Sequence, residues 1–136
     1  MVGKNLMEQT SISATGRRKS AVAHAVLKPG KGGFIINGRP VLSYLTRETL
    51  VNHAVEPLKM TQTDGTVDIV CSTSGGGLSG QAGAVRLAVS RALCLMNPDL
   101  RPSLRQGGFL VRDAREVERK KYGRPKARKR FQYSKR

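Results

Sequence analysis

Between Ser20 and Leu27 the side chains sort into two faces. Val22, His24 and Val26 fall on one, and Ala21, Ala23, Ala25 and Leu27 on the other, which is the period-two pattern of a strand. Ser11 to Ala14 reads as a strand before it. The breaker Pro29-Gly30-Lys31-Gly32-Gly33 follows, and Phe34-Ile35-Ile36 resumes as a short strand that stops at Asn37-Gly38. After the turn signal Asp64-Gly65, Thr66 to Thr73 alternates Val67, Ile69 and Cys71 with Asp68, Val70 and Ser72. Elsewhere the period changes to that of a helix. Thr46 is placed as the N-cap of one that must stop before Pro57.

The longest helix is predicted over Ser79 to Met96. Val85, Ala88, Val89, Ala92 and Met96 form its apolar stripe, with Arg86, Ser90 and Arg91 away from it. Its small residues, Gly83 in particular, predict close approach to the sheet. Asn97-Pro98 ends it, and a helical turn over Asp99 to Gln106 closes at Gly107-Gly108. Asp113 and Glu116 make a capping-box-like start for a last short helix, terminated by Gly123 and Pro125. There are no internal repeats. The expected fold class is α+β: a two-layer sandwich, with helices on one face of a small four-stranded mixed sheet, plus a long extended basic C-terminal tail.

Charge changes the picture more than hydropathy does. The 136-residue chain has a formal net charge of +16, which points to polyanionic partners. Residues 1–100 hold 11 Lys/Arg against 6 Asp/Glu, while residues 101–136 hold 14 against 3. Within 119–136 there are ten basic residues and no acid. Self-repulsion and scarce apolar surface predict that this arm does not fold alone. The expected organisation is a variable start (1–9), a globular domain (10–118) and a basic tail (119–136).

No stretch approaches the ~18–20 apolar residues of a membrane span. The N-terminal MVGKNLMEQTSIS lacks the apolar core of a secretory signal. An initial Met without a transit segment favours bacterial or organelle-encoded synthesis. Cys71 and Cys94 have no metal spacing and read as small core residues in a reducing compartment. No cofactor and no metal are expected.

Four local patterns carry candidate chemistry. "GGGLSGQAGA" (75–84) lies between a strand and the long helix, where clustered glycines and a helix N-terminus can hold an anion. It lacks the Lys-Ser/Thr ending of a P-loop, and packing or contact with a nucleic-acid backbone are competing readings. "GRRKS" (16–20) places three cations in the expected connection between the first two strands, and guanidinium groups suit bidentate phosphate contact. His24 and His53 join no Ser-His-Asp or Cys-His pattern, and the nine acids are scattered. No catalytic residue is assigned. In the arm "RKKYGRPKARKRFQYSKR", cations interleave with Tyr122, Phe131 and Tyr133, rings that can stack on bases.

"GRRKSAVAHAVLKPG" (16–30), "GGGLSGQAGAVRLAVSRAL" (75–93), "RDAREVERKKYG" (112–123) and "SKR" (134–136) occur in order. Together they resemble the ninth small-subunit ribosomal protein family, bacterial type, over about Thr10 to Arg136. The resemblance implies an α+β domain bound to ribosomal RNA in the small-subunit head, beside neighbouring ribosomal proteins and away from any membrane. It also implies a C-terminal extension whose tip reaches the anticodon stem-loop of the peptidyl-site tRNA.

Carried onto this chain, Ser134, Lys135 and Arg136 would contact tRNA. Arg17, Arg18 and Lys19, with Arg112 and Arg115, would contact ribosomal RNA. So would Arg119, Lys120, Lys121, Arg124, Lys126, Arg128, Lys129 and Arg130 along the arm. Tyr133 stands where Phe is common in the family. The family domain resembles in fold a group that includes small-molecule kinases, but their catalytic residues have no counterpart here. The implied location is the cytoplasmic ribosome or, alternatively, an organellar one. The rivals are a nucleotide-dependent enzyme using the Gly75–Gly83 loop and a nucleoid-type DNA-binding protein.

Overall fold

The computed structural model describes residues 11–112 and 119–129. The strands are β1 (Ile12–Arg18), β2 (Ala21–Pro29), β3 (Phe34–Ile36), β4 (Arg39–Pro40) and β5 (Val67–Ser74). The helices are α1 (Val41–Leu45), α2 (Glu48–Met60), α3 (Leu78–Met96) and α4 (Arg101–Gln106), with a 3-10 turn at Pro98–Leu100 before the last. The sheet order is β1-β2-β5-β3-β4. The β1–β2, β2–β5 and β3–β4 pairs are antiparallel, whereas β3 is parallel to β5. A parallel pair needs a long crossover, and α1 and α2 supply it. The class is α+β, as the pattern predicts.

The alternation in β2 is realised as burial. Ala21, Ala23, Ala25 and Leu27 are buried beneath the helices, while His24 is exposed on the other side. Three alanines on that face leave room for a helix to lie close. α3 takes the space and is buried around most of its circumference from Gln81 to Leu93. Ser90, expected off the apolar stripe, is fully buried, and its hydroxyl donates to the Arg86 carbonyl at 2.7 Å. Arg91 donates to the Thr15 carbonyl at 2.8 Å, tying α3 to β1.

Several expected boundaries move. The sheet has five strands among the described residues, not four. Asn37 (φ 52°) and Gly38 (φ 79°) turn the chain so tightly that Arg39 pairs back onto Ile36. Two residues are too few to show a period. β1 runs past Ala14 to Arg18, because Gly16, Arg17 and Arg18 pair with Ala23, Val22 and Ala21. Thr46 is not the cap of α2. It adopts a left-handed φ of 62° behind α1, and Arg47 occupies the cap position.

α2 also continues through Pro57 to Met60. The ring removes one backbone donor, a cost of about 3 kcal/mol at an interior position. Burial of Ala54, Pro57 and Leu58 offsets it, and the Thr61 amide and hydroxyl both donate to the Pro57 carbonyl, at 3.1 and 2.9 Å. Asp113 and Glu116, the start of the expected last helix, lie outside the described residues. Arg119 to Lys121 are not helical, and a turn at Tyr122-Gly123 follows.

Candidate nucleic-acid interface

The Gly-rich segment is accounted for by packing. Gly75 and Gly76 have φ of 75° and 63°, and a Cβ on Gly75 would fall on the Ser20 carbonyl. The segment is pinned from behind by a polar network that joins β3, α1, β5 and α3. Asn37 donates to Thr73 and to the Tyr44 hydroxyl, Tyr44 donates to Gln81, and Gln81 donates to the Gly75 carbonyl at 3.1 Å. Asp68 is similarly occupied. Its Oδ1 accepts the amides of Gly33, Lys31 and Gly32 at 2.8, 3.0 and 3.1 Å. Those bonds, Gly33's first, hold the carboxyl below its ordinary 3.8. Burial pushes the Cys71 thiol up to about 12, so it is an inert core residue.

The cations gather at one end of the sheet. Because β1 carries Arg17 and Arg18 as strand residues, the hairpin turn itself is only Lys19-Ser20. Both arginines line a cleft of about 160 Å³. Gly83, Arg86 and Leu87 of α3 form its floor, spaced so that they share one helical face. α2 contributes His53, and Gly108, Phe109 and Val111 close the far side. The sequence reading placed Gly83 in close approach to the sheet, but what faces it is a side chain of β1 and not strand backbone. A Cβ there would strike the aliphatic end of Arg18, which lies across the helix at that point.

Arg86 is the best fixed of these groups. Its guanidinium stacks 4.3 Å from the Phe109 ring centroid, and its Nη2 lies 3.4 Å from Glu56 Oε2. Burial first, then the charges of Arg86 and Arg18, hold His53 below its ordinary 6.5, and Glu56 only partly opposes them. His53 is therefore neutral near pH 7. In the unfolded chain it regains its ordinary value, so the unfolded state takes the proton first as pH falls below about 6.5. Stability should decline through that window. The expected result is that wild type loses more thermal stability than His53→Gln between about pH 7 and pH 5. Parallel losses in the two proteins would rule this out.

The remaining predicted site residues scatter along the chain. Lys19 sits in the turn with φ 53°. Arg112, Arg119 and Lys120 are exposed. Lys126, Arg128 and Lys129 are exposed, and Lys121 and Arg124 are partly covered. Tyr122 is fully exposed, so its ring serves no core. Arg115, Arg130, Ser134, Lys135 and Arg136 lie outside the described residues. Arg86, His53 and Phe109 escaped the sequence reading as a group. The available signal was Arg86 one helical turn after Gly83, an arginine on a face otherwise made of small and apolar residues.

The sequence profile described as ribosomal protein S9/S16 matches residues 16–136. The chain belongs to this family. It is 58% identical over 121 residues to small ribosomal subunit protein uS9 of Anaeromyxobacter sp. (strain K), covering 89% of this chain and 93% of that one. It is 51% identical over 123 residues to small ribosomal subunit protein uS9 of Rickettsia bellii (strain OSU 85-389), covering 90% and 75% respectively. Membership makes the chain a structural ribosomal protein and not an enzyme, which removes the nucleotide-dependent reading of the Gly75–Gly83 loop. Among the described residues, no helix is long and apolar enough to cross a membrane.

Proposed function

We propose that the chain is an RNA clamp of the small-subunit head, its body and arm bound to ribosomal RNA and its last three residues reaching the peptidyl-site tRNA. The observation that carries this is the run of ten cations without one acid over residues 119–136. Such an arm is a counter-charge for a phosphate-lined path. In this reading Arg17, Arg18, Lys19, Arg112 and Arg115 hold RNA at the body, and Arg119 to Arg130 hold it along the arm. Ser134, Lys135 and Arg136 lie beyond, at the tRNA anticodon stem-loop. Ordering an arm on binding costs a few kcal/mol but lets it cover a deep RNA surface. Phosphate contacts read little sequence, which suits a site that accepts every tRNA.

The tip is the sharpest part of the proposal to test. Replacing Lys135 and Arg136 with Glu should leave assembly intact while peptidyl-site tRNA leaves programmed small subunits about 5- to 150-fold faster. Two charge-assisted phosphate contacts, together worth about 1–3 kcal/mol at a hydrated site, set that range. Deleting residues 134–136 should have the smaller effect, because it removes attraction without adding repulsion. Dissociation from the Glu variant at the wild-type rate would place the tip away from tRNA.

A further inference from the structure

We propose that the outer face of α4 is a second RNA-binding surface of the body, where Arg101 and Arg105 take successive phosphates of one RNA strand. The inference rests on the RNA-binding reading above and adds to it two residues which that reading does not assign. The two arginines stand four positions apart on the helix, so they share one face, a single turn from each other. With Pro98, Pro102 and Gln106 they line a shallow groove of about 630 Å³. All five residues are exposed.

Three observations separate this face from ordinary solvated surface. The first is charge. Neither guanidinium forms an ion pair or a side-chain hydrogen bond among the described residues. Like charges four apart on a helix repel, and an anion long enough to meet both relieves the pair. Residues 98–112 hold three arginines against one acid, Asp99, and Asp99 does not line the groove. The second is support. Leu104 is fully buried on the inner side of α4, and the Phe109 amide donates to the Leu104 carbonyl at 3.0 Å. The Asn97 side chain accepts the Asp99 amide at 3.1 Å and fixes the turn that leads in. Pro98 and Pro102 stiffen that entry, so little backbone freedom is lost when the face is occupied. The third is chemistry. Two proline rings between two guanidinium groups suit a strand that alternates sugar with phosphate, since the rings pack on ribose while the forks take oxygens.

The full chain is titrated against a labelled, structured fragment of small-subunit ribosomal RNA. Arg101→Gln combined with Arg105→Gln should weaken binding about tenfold and lower the salt slope by about 1.4–1.8. Arg39→Gln combined with Arg47→Gln removes the same charge from exposed positions elsewhere on the body. That pair should leave the slope within about 0.5 of wild type. Equal losses from the two pairs would reduce α4 to background charge and overturn the site. Arg101→Lys combined with Arg105→Lys should keep the slope and bind about threefold more weakly, because charge stays and the planar fork is lost. A Lys pair that loses as much slope as the Gln pair would also overturn it. If wild type itself shows no affinity for the RNA, the functional reading above fails instead.

The place and the source of the phosphate are read from the arginine Nε–H resonances. RNA should shift those of Arg101 and Arg105. Inorganic phosphate at equal phosphate concentration should shift them far less, because two phosphates on one strand bind as a linked pair. An equal shift with inorganic phosphate would make the groove a free-anion site, and no shift with RNA would put the strand elsewhere. Either result overturns the assignment.

Discussion

Deleting residues 119–136 should flatten the salt dependence of RNA binding by as much as about 7–9 units of log–log slope. Each engaged phosphate contributes roughly 0.7–0.9 to that slope, and the deleted segment carries ten cations. Neutralising Arg17 and Arg18 together removes two, so it should cost about 1.4–1.8 by the same rule. The comparison is made by anisotropy of a structured RNA fragment between about 50 and 200 mM salt, with circular dichroism confirming that the shortened body keeps its fold. The affinity loss should be largest at low salt and shrink as salt rises, because counterion release is the driving force being removed. A truncated protein with the wild-type slope would place the whole binding surface on the body.

The elements with a long, clean period were legible in the sequence. β2 and β5 alternate over eight or nine residues, and their buried faces are the ones the pattern assigns. α3 was equally clear as a helix, but its depth of burial was not. Ser90 reads as polar and exposed, yet a hydroxyl that bonds back to its own helix can enter a core without leaving a donor unmet. Short elements were lost for want of period, as β4 and α1 show. Pro57 was read as a stop because local chemistry says so, and tertiary burial overrode it.

The charged arm needed no structure to be noticed. The cleft did, because its parts are separated by more than sixty positions and only the β1–α3 packing brings them together. GRRKS drew notice as a loop, whereas its two arginines lie on a strand beside a helix. The glycine run drew notice as an anion loop, and its glycines serve turns and close packing. In each case the missing information was what lies opposite the residues in the fold.

Gly16 is where that packing is most exposed to test. It sits mid-strand in β1, paired with Ala23, and a Cβ there would fall on the Ala84 carbonyl and the Ala88 amide of α3. Both are backbone atoms of a buried helix, and Arg91 ties that helix to the neighbouring Thr15 carbonyl. Neither side can yield cheaply. Gly16→Ala should therefore cost about 3 kcal/mol, the upper part of the usual overpacking range. That is a large share of the ~5–15 kcal/mol that holds a domain of this kind together.

Gly83→Ala is the control. Its Cβ would meet the side chain of Arg18 and not backbone, and alanine is the better helix former by about 1 kcal/mol. Denaturant titration should show Gly16→Ala with a much lower midpoint and an unchanged m-value, and Gly83→Ala within about 1 kcal/mol of wild type. The second variant should still displace Arg18 and so lower RNA affinity with the fold intact. If Gly16→Ala is as stable as wild type, the strand and helix do not approach as closely as the packing requires.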